Sequence, residues 1–198
     1  MRIGVFGGSF DPIHNGHIAL SQAFVEVLSL EKVLVIPAFV SPFKQQDGAA
    51  RPEQRLAMCR LAFADYPHTE VLDVELRREG PSYTVDTLRI LSEIYPDSEL
   101  FLITGADAFL TLQNWRAPQE IFRLATICTV PRDGNPVEKL QQHAEYLHTL
   151  GARTEIVDVQ VIKVSSTEIR DRVKAGISLT GLVPDEVARY IAEQALYL

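Results

Sequence analysis

A chain of 198 residues, 46% of them hydrophobic, can bury a core of its own and has the length of one domain, with a helical part at its end. Its formal net charge of −7 excludes the broad basic footprint of a nucleic-acid binder, so an anionic ligand must be met by a local cluster of Arg and Lys. No apolar run approaches the roughly 18 residues that span a membrane. Cys59 and Cys128 form no C-x-x-C pair and follow no secretory segment, which places the chain in the reducing cytoplasm.

In chain order, short apolar runs at residues 2–6, 32–37, 70–73, 99–104, 125–130 and 154–158 read as strands. Between them, residues 16–29, 53–64, 83–95, 118–123 and 137–149 read as helices. In the first, Leu20, Phe24, Val27 and Leu28 recur at helical spacing; in the second, Leu56, Cys59 and Phe63 do. The alternation predicts an α/β, doubly wound, Rossmann-like parallel sheet. After residue 158 two helices, near 166–175 and 185–195, would cap the sheet. The whole of 1–198 reads as one domain whose C-terminal helical part begins at about 164. The longest irregular stretch is 39–52, and long loops in compact domains are often functional.

Gly7 and Gly8 fall where the first strand ends, the end of a parallel sheet at which ligands bind. Glycine there serves a steric turn or lets backbone approach a phosphate. Neither G-x-G-x-x-G nor a Walker A loop fits, since the first lysine is Lys32. His14 and His17, at i and i+3 on a helix start, can face one point beside Gly16, where the helix N-terminus adds partial positive charge. Phosphate contacts, metal ligands and structural histidines all remain open on spacing alone. For zinc, no nearby Cys or His suggests a third ligand, and His68, His143 and His148 lie in polar segments. Further on, Pro81 and Ser82 read as a helix start with Ser82 as N-cap, which leaves amides near Tyr83 and Thr84 unbonded. Ser165 and Glu168 have the spacing of a capping box, and Arg170, one turn in, can reach an anion resting on that helix start.

GGSFDPIHNGH, residues 7–17, resembles the phosphate-binding opening of the nucleotidyltransferases with the [TH]-x-G-H signature, and most closely the bacterial nicotinate-nucleotide adenylyltransferase family. PSYTVDTL at 81–88, GADAFLTLQNW at 105–115, PRDG at 131–134 and VSSTEIRDRV at 164–173 resemble that family's motifs in its order and spacing. The resemblance implies adenylyl transfer from ATP to nicotinate mononucleotide, giving nicotinate adenine dinucleotide and pyrophosphate, with Mg²⁺ bridging phosphates and no covalent enzyme intermediate. It implies that His14 and His17 donate to the ATP phosphates, with Lys44 and Arg170 beside them. Gly7, Gly8, Ser9, Phe10, Gly16, Gly105, Arg132, Ser165, Ser166 and Thr167 would frame the nucleotide, and Asp107 would bind ribose hydroxyls. Ser82, Tyr83, Thr84, Trp115 and Arg116 would form the pyridine pocket, with Trp115 stacked on the ring. PAFVSPFK at 37–44 keeps Lys44 but departs from the family pattern at Ala38, Ser41 and Phe43, and Arg116 stands where many relatives carry an aromatic residue. Another phosphorylated acceptor, nicotinamide mononucleotide or phosphopantetheine, and a non-catalytic nucleotide sensor are the alternatives. The sequence is compatible with a monomer or a homo-oligomer.

Overall fold

The structure, a computed structural model, describes residues 1–39, 50–78, 80–132, 135–159 and 162–198. Six parallel strands form one sheet: β1 (Arg2–Gly8), β2 (Lys32–Pro37), β3 (Thr69–Val71), β4 (Glu99–Ile103), β5 (Ala125–Thr129) and β6 (Arg153–Ile156). Their spatial order is β3-β2-β1-β4-β5-β6. The direction of winding therefore reverses between β1 and β4, which pair in register Ile3 to Leu100 and Val5 to Leu102. The doubly wound parallel sheet expected from the alternation is the one observed.

Period-two alternation sorts each strand onto two cores. Ile3, Val5, Leu34, Ile36, Leu100, Leu102 and Ile127 face one side, under α3 (Thr84–Ile94), α4 (Ala106–Phe109), α5 (Pro118–Leu124) and α6 (Val137–Thr149). Phe6, Val33, Val35, Phe101, Ile103 and Cys128 face the other, under α1 (Asn15–Val27), α2 (Pro52–Ala62), α7 (Ser166–Lys174) and α8 (Asp185–Glu193). The longer helices contribute apolar stripes at helical spacing. In α3 it is Val85, Leu88 and Leu91, all fully buried, the leucines adding about 1.5–3 kcal/mol each. The two cysteines are core residues; burial raises both thiols, Cys128 to about 12.

The structure corrects the sequence reading in two places. Strand β3 spans three residues and β6 four, shorter than expected. The helical turn α4, with the 3-10 turn Leu112–Asn114 behind it, was unanticipated, being too short to show a period. The C-terminal helices cap one face of the sheet as expected, beside α1 and α2: Ile169, Val187 and Ile191 pack into the same core as Phe24 and Met58.

Candidate active site

The sheet delivers the predicted residues to the carboxyl ends of its strands, around the point where strand order reverses, the position at which open parallel sheets take ligands. Gly7 is exposed there. A Cβ on Gly8 would stand 2.9 Å from the Phe10 ring, so glycine is required for Phe10 to fold underneath. Phe10 takes the left-handed φ of 46° and is 3% exposed, which leaves its backbone rather than its ring for a ligand. The ring packs edge-on against His17, with centroids 5.1 Å apart, and against Phe6.

His14 is the N-cap of α1 and His17 its third residue. The His14 Nδ1 accepts from the His17 amide at 3.3 Å, and the His17 Nδ1 accepts from the His14 amide at 3.3 Å. This is a capping box built from two imidazoles. The rings stack at 3.6 Å between centroids and 21° between planes. With both Nδ1 atoms accepting, the N–H of each ring is the one on Nε2, on the side away from the cap. Burial, together with the charge of Arg132, lowers the His14 pKa to about 4, so this donor is neutral at physiological pH. Between the histidines, a Cβ on Gly16 would meet the Ile162 carbonyl at 3.0 Å and the His14 ring at 3.1 Å. Asn15 ties the helix start to the loop before α8, donating to the Leu182 and Gly181 carbonyls.

The start of α7 meets this turn. Ser165 is the N-cap, its hydroxyl accepting from the Glu168 amide at 3.1 Å. The expected capping box is only half made, because the Glu168 carboxylate turns to Arg172. The Ser166 hydroxyl donates to the Pro12 carbonyl at 2.9 Å, and Arg170 donates to the Asp11 carbonyl at 2.7 Å and to the Thr167 hydroxyl at 3.3 Å. Ser165, Ser166, Thr167 and Arg170 are thus brought beside the histidine turn by direct bonds.

A second cluster gathers the residues expected around the pyridine. Tyr83, not Ser82, is the N-cap of α3, and its side chain makes no cap bond. The Ser82 hydroxyl instead accepts from the Phe39 amide at 3.0 Å, joining this helix start to the end of β2. With Tyr83 as N-cap, the first-turn amides without an acceptor in the helix are those of Thr84, one of the two expected, and of Val85, which carried no expectation. Arg116 lies with its guanidinium carbon 4.5 Å from the Tyr83 ring centroid. Trp115 is half-buried against the core, and the next residue but one, Ala117, adopts the left-handed φ of 50° ahead of Pro118. Strain of about 1 kcal/mol is held there, beside the pocket. Gly105 is exposed at the start of α4, and Asp107, also exposed, accepts from the Asn135 side-chain amide at 2.6 Å. Arg132 bridges to Asn135 through backbone bonds. Lys44, with Ser41 and Phe43, lies outside the described residues.

A cytidylyltransferase-like family model matches residues 5–172. Over its full length the chain is 41% identical to the probable nicotinate-nucleotide adenylyltransferase of Corynebacterium kroppenstedtii, of which the match covers 91%. It is 42% identical over 99% of its length to that of Roseiflexus castenholzii, covering 98% of the relative. The chain belongs to the nicotinate-nucleotide adenylyltransferases. The fold agrees: a Plasmodium falciparum nicotinic acid mononucleotide adenylyltransferase solved with NaAD superposes with a TM-score of 0.79, covering 99% of this chain and 97% of that one at 15% identity.

In this adenylyltransferase several residues at the site carried no expectation. Arg55 of α2 is 6% exposed and donates to four carbonyls: Ser9 at 2.6 Å, Ala38 at 2.6 Å, Phe39 at 3.0 Å and Ala50 at 3.2 Å. It binds the ends of β1 and β2 to the start of its own helix. The signal was present, since Arg55 shares a helix face with Cys59 and Ala62, where a charge interrupts an apolar stripe. Asn135, 7% exposed, passes a bond from Lys139 to Asp107. Asp11 and Tyr197 meet from opposite ends of the chain.

Among the described residues, no group of three or more His, Cys, Asp and Glu is placed to hold a metal ion. Imidazole N–H groups, guanidinium and backbone amides are donors that suit anions. No described helix is long and apolar enough to cross a membrane.

Proposed function

We propose that the two-imidazole cap of α1 is the phosphate-facing device of this adenylyltransferase, and that the α3 start reads the acid group of nicotinate mononucleotide. The observation that carries the first part is the paired use of Nδ1, which commits both histidines to donating from Nε2. The 5′-phosphate of the mononucleotide attacks the α-phosphorus of Mg²⁺–ATP in line, and pyrophosphate leaves. No protein nucleophile is required. His14 and His17 donate to phosphate oxygens as charge shifts toward the leaving group, and the buried frame around them needs no reorganisation at that moment. The Arg170 guanidinium adds positive charge on the same side, and Gly7, Gly8 and Ser9 bring backbone amides to the nucleotides. Lys44 extends this set.

On the ATP side Asp107 takes ribose hydroxyls; on the acceptor side Trp115 stacks on the pyridine ring, and the amides at Tyr83 and Thr84 meet the ring substituent. A carboxylate accepts those bonds and is favoured by Arg116, which the Tyr83 ring holds over this helix start. A carboxamide turns an NH₂ group toward donors and leaves groups unpaired at roughly 1–3 kcal/mol each.

Pyrophosphate release with saturating Mg²⁺–ATP and either nicotinate or nicotinamide mononucleotide tests the reading. The expected preference is about 10²-fold or more in kcat/KM for the acid. Thr84→Ala keeps it because backbone supplies the donors, and Trp115→Ala weakens the mononucleotide by roughly 1–3 kcal/mol while sparing ATP. Equal kcat/KM for acid and amide would refute the account of the pocket.

A further inference from the structure

The turn carrying His14 is held from an unexpected quarter. Asp11 is 5% exposed, and its Oδ1 accepts from the Tyr197 hydroxyl at 2.7 Å and from the Ala50 amide at 3.0 Å. The backbone carbonyl of the same residue accepts from Arg170 at 2.7 Å. Pro12 takes the Ser166 bond, Ile13 is fully buried, and His14 follows as the N-cap. Asp11 therefore joins the last segment of the sequence, the start of α2 and the Arg170 guanidinium at one point, three residues before the histidine.

Packing alone does not require this chemistry. Tyr197 is 6% exposed, and a phenylalanine would fill the same space. What the hydroxyl adds is a directional bond to a buried carboxylate, and burying that polar pair is costly unless the bond is made. Tyr197 also sits at the left-handed φ of 64°, which is strained for a bulky side chain, so the bond is kept against a backbone cost. Burial and the neighbouring Asp11 both push the hydroxyl far up in pKa, so it stays a donor.

We propose that Tyr197 is a positioning residue for adenylyl transfer, acting through Asp11 to fix the turn that presents His14 and anchors Arg170. The inference rests on the reading of the histidines and Arg170 given above. Misplacement of reacting groups by even a fraction of an ångström to one ångström lowers rate more than it lowers ground-state affinity. Tyr197→Phe should therefore reduce kcat about tenfold while KM for both substrates stays within about twofold. Asp11→Asn, which keeps an acceptor oxygen and the backbone carbonyl, should reduce kcat by about three- to fivefold. The double variant should be no slower than the slower single variant, because Tyr197→Phe removes, and Asp11→Asn weakens, the same hydrogen bond.

Assays below the melting temperature of each variant, with circular dichroism on the same samples, separate positioning from unfolding. If Tyr197→Phe does not fold, Asp11→Asn decides alone. A folded Tyr197→Phe enzyme with parental kcat, or single effects that add in the double variant, would overturn the proposal. The kcat of His14→Asn with His17→Gln, measured alongside, keeps the two readings apart: parental kcat in that variant counts against the phosphate-facing histidines, whereas an unaltered Tyr197→Phe counts against Tyr197.

Discussion

Two helix starts meet at this site and solve the same local problem with different chemistry. At α7 a serine caps one amide through the only polar atom of its side chain. At α1 the caps are imidazoles, which accept at Nδ1 and still carry an N–H on the far side of the ring. A residue with two separated polar atoms can therefore fold the helix and serve the ligand together. The serine helix contributes differently, through Ser166 and Arg170, whose bonds to the carbonyls of Pro12 and Asp11 steady the other start.

The comparison breaks most directly if α1 is given an ordinary cap. In His14→Asn with His17→Gln, the asparagine oxygen can accept from the amide of residue 17 and the glutamine from that of residue 14. The fold should persist, with a melting temperature close to that of the parent. Activity should fall by at least about 10²–10³ in kcat, the loss typical of removing a preorganised donor. Retention of near-parental kcat would mean that capping is all the imidazoles do.

This separation of roles also explains what could be read in the sequence. Strands and long helices were legible because their burial patterns repeat, and the histidine pair because its spacing, glycine and helix start are local. The N-cap at Ser82 was misread: the hydroxyl met an acceptor's task at Phe39, 43 residues away, and propensity at one position says nothing of such a partner. The bond between Asp11 and Tyr197 spans 186 residues, and neither residue stands in a periodic pattern. Arg55 differs, because its place on the apolar face of α2 was visible as a charge in a buried stripe.

A second test sharpens the contrast through pH. The folded-state pKa of His14, about 4, lies below its ordinary value of 6.5. The folded protein therefore binds fewer protons than the unfolded chain between these values. Stability from this group is fully present above pH 6.5 and is lost as pH falls toward 4. The shift corresponds to about 3 kcal/mol in all. Urea unfolding of the parent and of His14→Asn from pH 7 to pH 4 should show the steeper loss in the parent. Parallel profiles would show that His14 is not held neutral by the fold.

The smallest expected effect is at Ser165. Its hydroxyl accepts one amide hydrogen bond in a half-buried position, so Ser165→Ala should cost about 1 kcal/mol of stability, within the usual 0.5–2 range for a lost N-cap. Turnover should change by less than about threefold, since Ser166 and Arg170 still hold the Pro12 and Asp11 carbonyls. Glu168→Gln should do less, because the carboxylate is engaged by Arg172, four residues on at the surface, and such pairs contribute about 0.3–0.5 kcal/mol. Chemical denaturation and steady-state kinetics on the same two variants give both numbers. If Ser165→Ala instead kept its stability and lost tenfold or more in kcat, the hydroxyl would be acting on the phosphates. The division between a cap that only folds and a cap that also donates would then fail at the helix where it is most simply drawn.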